Sequence, residues 1–193
     1  TLDTFVCSSW YHLRFASPNS GQSPLNDDQV RAWVPVAAYQ GGSEHAVMHL
    51  LYSRFFNKAL RDLKFVDFDE PYTKLTNQGM LTKNGGKISK RSNPLPPDPV
   101  VEQHGADTLR CYLMFLGPWD QGGDWSDSGI NGIKRWLNRI WDLAQRDYSV
   151  LGGSVSDSAE RDLSRIANAT SQRVIADMNV FKFNTSIAAL MEF

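Results

Sequence analysis

The segment WVPVAAYQGGSEHAVMHLLYSRFFNKALRDL, residues 33–63, decides the fold that we expect for this chain. A short apolar run, residues 33–40, ends at Gly41 and Gly42, and Ser43 then stands where a helix running to about Leu63 would have its N-cap. The order strand, glycine turn, helix is typical of an α/β fold. It also leaves the free amide groups of a helix start beside backbone without side chains.

Upstream of this segment, the spacing of Phe5, Ser8, Tyr11 and Phe15 predicts a helix that presents these side chains on one face. Residues 17–29 contain Pro, Gly, Asn and Ser without periodicity, and we expect a surface loop there.

Downstream, the pattern changes from α/β to helical. We expect a short strand near residues 76–80, helices over 98–104 and 106–116, and a stop at Gly117-Pro118. A strong apolar stripe at helical spacing follows: Ile130, Ile133, Leu137, Ile140, Trp141 and Ala144. Two more helices are predicted, from Asp157 and from about Val180. We place a domain boundary near residues 117–125.

Composition excludes several classes of protein. The chain has 193 residues, of which 41% are hydrophobic, and its 20 basic and 21 acidic residues leave a net charge of −1. Any nucleic-acid or phosphate binding must therefore come from local clusters. Cys7 and Cys111 form no CxxC pair, which argues against a disulfide framework. No apolar run approaches the roughly 20 residues of a membrane span, and we expect a cytoplasmic protein without membrane contact.

Both ends of the sequence resemble cut ends. The chain opens without methionine and closes on NTSIAALMEF inside a helical pattern that has no stop signal. We therefore expect a piece of a longer protein.

A dense positive cluster, KISKR at residues 87–91, lies between Gly85-Gly86 and a proline-rich segment. The prolines exclude continuous helix and central-strand pairing. Lysines on such a loop suit phosphate oxygens, so a mobile phosphate clamp is one interpretation. A solvated surface loop is the other, and from the cluster alone it is the default interpretation.

His45 and His49 are spaced as i and i+4, a spacing that can serve zinc on a helix. The order here is Glu-His-x-x-x-His, whereas the zinc motif of metalloproteases requires His-Glu-x-x-His. We therefore predict no metal ligands and interpret the pair as buried or lining a pocket.

Several motifs taken together resemble one family. KISK, the prolines after it and EQHGADTLRCYLMFLGP are similar to the KMSKS signature region of class I aminoacyl-tRNA synthetases. DTFVCSSWYHLRF, GGSEHAVMHLLYSRFFNKALRDL, NQGM and FNTSIAALMEF, in this order, resemble the leucyl-tRNA synthetase family across nearly the whole chain.

The resemblance implies a fold and a division of the chain. We expect the C-terminal half of a Rossmann-like nucleotide-binding fold, followed by the first helices of an α-helical bundle. Residues 1–120 would form the second half of the catalytic domain with the KMSKS-like loop. Residues 121–193 would form a junction and the start of the anticodon-binding bundle.

The resemblance also implies roles for the basic loop. Lys87, Ser89 and Lys90 would act in catalysis by stabilising the ATP triphosphate, which agrees with the need of phosphoryl-type transfer for positioned charge. The loop departs from KMSKS at Ile88 and Arg91, and the segment up to GADTLR is one residue shorter than usual. These departures concern the conformation of the loop and not its role.

The glycine pair and the start of the predicted helix after it, residues 41–44, would bind the adenylate. By resemblance, Gly41, Gly42 and Glu44 line its adenosine part, with Lys87 and Lys90 also binding ATP. From the residues alone, an ordinary capped helix with Glu44 favouring the helix dipole is the better explanation.

Five residues would surround the isobutyl side chain of leucine by resemblance: Phe5, Ser8, Tyr11, His45 and His49. The shared face of Phe5, Ser8 and Tyr11 independently supports one wall of a pocket. Plain core packing remains the alternative for the two aromatic residues.

The resemblance implies ATP with Mg²⁺, leucine, tRNA(Leu) and the remainder of the synthetase as cofactors and partners. No His-x-Gly-His segment occurs in the sequence, so we expect the chain to be inactive alone. A stand-alone tRNA-binding or assembly module, such as one subunit of a split synthetase, is an alternative. A purely structural helical protein is another. For Arg135 and Arg139 a solvated helix face is the simpler interpretation than RNA contact.

Overall fold

The computed structural model describes residues 4–89, 91, 94–150, 153 and 155–193. The chain packs as two compact units, Thr1–Gln78 and Gly79–Phe193. This division falls inside the predicted catalytic domain, residues 1–120. The predicted boundary between catalytic domain and helical bundle, after residue 120, stays a prediction. Lys90 lies outside the described residues.

Unit 1, residues 1–78, is built around one parallel strand pair. Its helices are α1 (Thr4–Ser8), α2 (Tyr11–Ala16), α3 (Asp27–Trp33) and α4 (His49–Asp62), and its strands are β1 (Tyr39–Gly42) and β2 (Leu75–Gln78). Strand β1 pairs with β2 from Tyr39↔Leu75 to Gly42↔Gln78. Parallel strands require a long connection, and here α4 lies within it. The predicted order of strand, glycines and helix is therefore confirmed, although the strand begins only at Tyr39.

The predicted helix over residues 5–15 is wrong as a single helix, since it breaks at Ser9 and Trp10 into α1 and α2. The hydroxyl groups of Ser8 and Ser9 both donate to the carbonyl of Phe5. Ser and Thr hydroxyls compete in this way with the backbone bonds of a helix. In addition, the Ser9 carbonyl accepts a bond from Ser53, 3.0 Å away on α4.

The predicted continuous helix from Ser43 to about Leu63 is also wrong at its start. Ser43–Val47 form a 3₁₀ turn, and α4 begins only at His49, after Met48 with φ −116° and ψ −106°. Tight 3₁₀ turns are common where helices begin. Ser43, the predicted N-cap, lies inside the 3₁₀ turn, whose N-cap is Gly42 without a side-chain hydrogen bond. The sequence pattern fails here because the same residue types occur in a 3₁₀ turn and in the first turn of an α-helix.

The core of unit 1 lies under α2, α3 and the end of α4. Its buried side chains are Leu13, Leu25, Val30, Val34 and Val66. Asn26 caps α3 by accepting a bond from the Gln29 amide at 3.0 Å. Helix α3 therefore begins inside the segment, residues 17–29, that the sequence predicts to be loop throughout.

Unit 2, residues 79–193, begins with a small mixed sheet of order β4-β3-β5. Its strands are β3 (Met80–Lys83), β4 (Gly86–Lys87) and β5 (Gly122–Asp124), and its helices are α5 (Pro97–His104), α6 (Ala106–Phe115), α7 (Gly129–Ala144), α8 (Asp157–Asn179) and α9 (Phe183–Glu192). β3 and β4 form an antiparallel hairpin, whereas β3 and β5 run parallel with α5 and α6 in their connection. The predicted helices of this half are confirmed to within a few residues.

The core of unit 2 is formed by Tyr112, Trp125, Ile130 and Ile133. Only the first half of the predicted α7 stripe is buried: Ile130 and Ile133 are each 1% exposed, whereas Ile140 and Trp141 are 45% and 66% exposed. Helices α8 and α9 are joined by a hydrogen bond of 2.7 Å from Thr185 to Asp177.

The two isoleucines of α7 give a matched test of this packing. We expect Ile133→Ala to lower the free energy of unfolding by about 3 kcal/mol, because it leaves a cavity in the core. Ile140→Ala, the same change one heptad later, is expected to cost less than about 1 kcal/mol because its side chain is half exposed. Urea unfolding followed by tryptophan fluorescence measures both, and equal losses would contradict this placement of the core.

Candidate functional site

A chain of hydrogen bonds in unit 1 joins α1, α2, β1 and α4. The Tyr39 hydroxyl lies 2.8 Å from the Tyr11 hydroxyl and 2.7 Å from His49 Nε2. His49 Nδ1 lies 3.3 Å from Ser8 Oγ, which in turn donates to the Phe5 carbonyl at 3.1 Å. Three of the predicted leucine-site side chains, those of Ser8, Tyr11 and His49, are therefore brought together, with Tyr39 as the link.

The direction of every bond in this chain follows from the bond at Ser8. Because the Ser8 hydroxyl gives its only proton to the Phe5 carbonyl, it can only accept from His49, which must carry its proton on Nδ1. His49 Nε2 is then an acceptor, so Tyr39 donates to it and Tyr11 donates to Tyr39. The arrangement holds a neutral imidazole in one tautomer and one orientation.

The electrostatics agree with this assignment. Burial, and then the charge of His45, lower the pKa of His49, which favours the neutral ring. Burial and the bond donated to Tyr39 raise the pKa of Tyr11. Both tyrosine hydroxyls therefore keep their protons near neutral pH, and the site has little charge at this end.

A second layer of polar groups supports Tyr39 from behind. The Tyr39 ring stacks on Tyr72 with centroids 4.0 Å apart and planes inclined by 24°. The Tyr72 hydroxyl lies 2.7 Å from Ser53 Oγ, and Ser53 is fully buried. Because the Ser53 proton goes to the Ser9 carbonyl, Tyr72 is the donor to Ser53.

Sequence reasoning missed Tyr39, Tyr72 and Ser53. Tyr39 could have been found, since it stands two residues before the glycine pair, at the end of the apolar run. Tyr72 and Ser53 carry no comparable signal, because their contacts depend on the pairing of β1 with β2.

The two remaining members of the predicted leucine set lie at the margin of this network. The Phe5 ring contacts Tyr52 with centroids 5.4 Å apart. The His45 ring meets His49 edge-on, with centroids 6.2 Å apart. The two histidines are thus neighbours, although they do not share one α-helix.

His12 is a buried histidine beside this network. It is 7% exposed, its ring lies 5.4 Å from that of Tyr72, and neither ring nitrogen has a partner among the described residues. Burial, and secondarily the charge of His49, lower the pKa of His12 to about 4. A neutral imidazole at this position is therefore part of the folded state.

The glycine pair ends β1 beside the 3₁₀ turn that carries Glu44. A Cβ atom added at Gly42 would overlap the Glu44 carboxylate, whereas nothing lies within 4 Å of a Cβ at Gly41. Glu44 is an exposed residue, and its carboxylate lies back across Gly42. The backbone of Gly41 therefore borders open space next to a carboxylate that can accept hydrogen bonds.

The basic cluster begins on the edge strand of unit 2. Lys87 is exposed on β4, where it pairs with Thr82 of β3. The next residue, Ile88, donates its amide to the Leu81 carbonyl at 3.2 Å and packs against the core of the unit. Ile88 is therefore an apolar anchor next to Lys87 and Ser89.

Metal-binding groups of side chains and membrane-spanning helices are both absent from the described part of the chain. Within it, no three His, Cys, Asp or Glu side chains are grouped so that they could hold a metal ion. In the same residues, no helix combines the length and the apolar character needed to cross a bilayer.

Comparison with known proteins finds relatives that match along the whole chain. No family model matches the chain. Over 193 residues it is 51% identical to a leucine–tRNA ligase from Dehalococcoides mccartyi, in a match that covers all of the chain and 24% of that protein. The chain is homologous to one segment of leucine–tRNA ligase. The resemblance predicted from the motifs is therefore confirmed.

Other leucine–tRNA ligases match over the same extent. Those from Rubrobacter xylanophilus and Thermotoga maritima are 50% and 44% identical over 197 and 203 residues, each match covering the whole chain. The chain spans about a quarter of the length of the curated relatives it matches.

Solved structures place the fold among class I aminoacyl-tRNA synthetases. The LeuRS of Agrobacterium radiobacter K84, in a ternary complex with tRNA and LeuAMS, aligns with a TM-score of 0.85 and 37% identity over all of the chain and 26% of that protein. A methionyl-tRNA synthetase of Mycobacterium tuberculosis in complex with methionyl-adenylate aligns with a TM-score of 0.71 over 97% of the chain and 37% of its own. At 22% identity the latter likeness concerns the fold alone. The predicted fold class, a Rossmann-like portion followed by helices, is confirmed.

The central position of Tyr39 gives a prediction for unit 1. We expect Tyr39→Phe to lower the free energy of unfolding by about 1.5 kcal/mol, because Tyr11 and His49 both lose a half-buried hydrogen-bond partner. Tyr52→Phe is the matched control, since that ring is 43% exposed, and it is expected to cost less than about 0.5 kcal/mol. Urea unfolding at pH 7 compares the two, and a larger cost for Tyr52→Phe would contradict the network.

His12 gives a prediction for pH. Below its usual pKa of 6.5 the unfolded chain binds a proton at His12, whereas the folded chain binds it only near pH 4. The free energy of unfolding should therefore fall as the pH is lowered through this window, by about 3 kcal/mol for this residue at about 1.4 kcal/mol per pKa unit. His12→Phe should remove this part of the pH dependence. An unchanged slope between pH 6.5 and 4.5 in the variant would refute the buried neutral state.

Proposed function

We propose that this chain is part of the catalytic machinery of a leucine–tRNA ligase. The whole enzyme would use ATP with Mg²⁺ to activate leucine as leucyl-adenylate and would then transfer leucine to tRNA(Leu). The observation that carries this proposal is 51% identity to the Dehalococcoides mccartyi ligase along all 193 residues. Because that match covers 24% of the relative, the chain would act together with the remainder of the synthetase.

Unit 1 would bind the leucine side chain. Phe5, Ser8, Tyr11, His45 and His49 remain the proposed contacts, and Tyr39 joins them because it holds His49 in place. The neutral His49 ring and the tyrosine hydroxyls suit an apolar side chain, since these groups carry no full charge that would have to be desolvated when leucine enters. The fixed tautomer of His49 supports this role, because it orients the ring without charging it.

Unit 1 would also bind the adenosine part of the adenylate at the end of β1. Gly41 and Gly42 would let the nucleoside approach the backbone, and Glu44 would accept hydrogen bonds from the ribose. The open space beside Gly41 and the exposed Glu44 carboxylate support this proposal. Ligands of α/β folds commonly bind at the carboxyl ends of the strands, where these residues stand.

Unit 2 would supply positive charge to the triphosphate. Lys87, Ser89 and Lys90 are the proposed residues, and the exposure of Lys87 on an edge strand supports the first of them. Mg²⁺ would arrive with the nucleotide, since this ion is usually bound through phosphates and few protein ligands. It would neutralise phosphate charge. The ternary complex of the Agrobacterium LeuRS with tRNA and LeuAMS supports tRNA and an adenylate as ligands.

We propose a cytoplasmic site of action. No observation favours a stand-alone tRNA-binding module or a split-synthetase subunit over a segment of the ligase.

A chimeric ligase tests the proposal. This chain would replace the matched 193 residues of the Dehalococcoides mccartyi ligase. We expect leucine-dependent ATP–pyrophosphate exchange and leucylation of tRNA(Leu) by the chimera, with little exchange in the presence of isoleucine or valine. A folded chimera that exchanges none of these amino acids would refute the proposal. The isolated chain is expected to give no exchange, and robust exchange by it would show that it needs no further segment.

In the chimera, Lys87→Ala is expected to lower kcat by about 100-fold, because it removes charge that stabilises the transition state. Lys182→Ala is the control, since it removes an exposed lysine of the same unit at the start of α9. Steady-state exchange kinetics at saturating leucine measure both. Equal rates for the two variants would exclude Lys87 from the phosphate site.

A further inference from the structure

We propose that Asp124 is a positioning residue for Lys87. It would hold the tip of the β3–β4 hairpin, residues 80–87, and so fix the face of β4 on which Lys87 stands. The inference rests on the proposed function, because only a phosphate-binding Lys87 makes the position of this hairpin matter for catalysis.

The tip of the hairpin is a two-residue turn in left-handed backbone. Lys83 pairs with Gly86, and Asn84 and Gly85 between them have φ values of 54° and 74°. Such turns fit the twist of a hairpin and favour Asn-Gly, although Asn still pays a steric cost at positive φ. The turn therefore benefits from contacts outside the hairpin.

Asp124 provides these contacts from the neighbouring strand. Its Oδ1 accepts a bond of 2.6 Å from the Thr82 hydroxyl and one of 3.3 Å from the Gly85 amide. The Thr82 hydroxyl first, and then the Gly85 and Asn84 amides, lower the pKa of Asp124. An ionised carboxylate thus accepts one bond from β3, at Thr82, and one from the turn, at Gly85. Charge-assisted bonds of this kind are stronger than neutral ones.

The other end of the short strand is held independently. The Ile88 amide donates to the Leu81 carbonyl at 3.2 Å, and the Ile88 side chain packs on the core with Trp125. Asp127 adds a link, because it accepts from Lys83 Nζ at 3.0 Å and from Trp125 Nε1 at 2.7 Å. Lys87 thus lies between a turn held by Asp124 and an apolar anchor.

The register of β4 decides where the Lys87 side chain points. Successive side chains of a strand face opposite sides, so a slip of one residue would turn Lys87 to the other face. With only two paired positions, Thr82↔Lys87 and Lys83↔Gly86, the ladder itself provides little resistance to such a slip. Asp124 opposes it because its acceptor oxygen bonds Thr82 and Gly85 together, which fixes the turn between them.

The chimeric ligase tests the inference. We expect Asp124→Ala to reduce kcat/KM for ATP about tenfold, with the KM for leucine unchanged, whereas Asp124→Asn should retain most activity because its side-chain oxygen still accepts both bonds. Thr82→Val, which removes one donor to Asp124, should also lower kcat/KM for ATP. Asp120→Ala is the matched control, since Asp120 is an exposed aspartate just before β5. Equal ATP constants for Asp124→Ala and Asp120→Ala would overturn the inference, as would equal losses toward leucine and ATP.

Amide spectra of the 193-residue chain give a second readout that does not depend on activity. Asp124→Ala should move the NMR resonances of the Gly85 and Lys87 amides, and Asp120→Ala should leave them in place. If the unsubstituted chimera is inactive, the proposed function fails. The amide resonances then decide whether Asp124 holds the hairpin, and unmoved resonances would refute it.

Discussion

Parallel strand pairing is the constraint on which both units depend. Parallel neighbours cannot be joined by a tight turn, so β1–β2 and β3–β5 each require a helical connection of considerable length. This pairing brings residues that are distant in sequence to the same place. In unit 1 it sets Tyr72 against Tyr39, and in unit 2 it sets Asp124 beside Thr82. The side chains that carry the proposed chemistry are positioned by these partners.

In unit 1, simple proton counting determines which group donates in each hydrogen bond of the polar network. The Ser8 hydroxyl has one proton, and its use at the Phe5 carbonyl sets the tautomer of His49 and the donors at Tyr39 and Tyr11. A similar count at Ser53 makes Tyr72 a donor. Such chains favour one arrangement of the rings, because any reversal would leave a buried group without its partner.

The sequence predicts those parts of the fold that local rules govern. Helices α5 and α6 are found because prolines and glycines mark their ends, and the glycine pair correctly signals the end of β1. The break at Ser9 was missed, since it depends on a bond from Ser53 that periodicity cannot reveal. Likewise the resemblance to leucyl-tRNA synthetases predicts Ser8, Tyr11 and His49 as site residues. Their link through Tyr39 could not be predicted, because it depends on the three-dimensional fold.

Ile88, inside the basic cluster, and Leu95, in the proline-rich segment after it, both pack on the same core of unit 2. The stretch between these two residues is thus a loop closed by two contacts with one core. The entropy of closing such a loop depends only on the logarithm of its length, and losing one residue changes it by about 0.1 kcal/mol. A core that is contacted at both ends of this stretch therefore tolerates a change in the number of residues between Ile88 and Leu95.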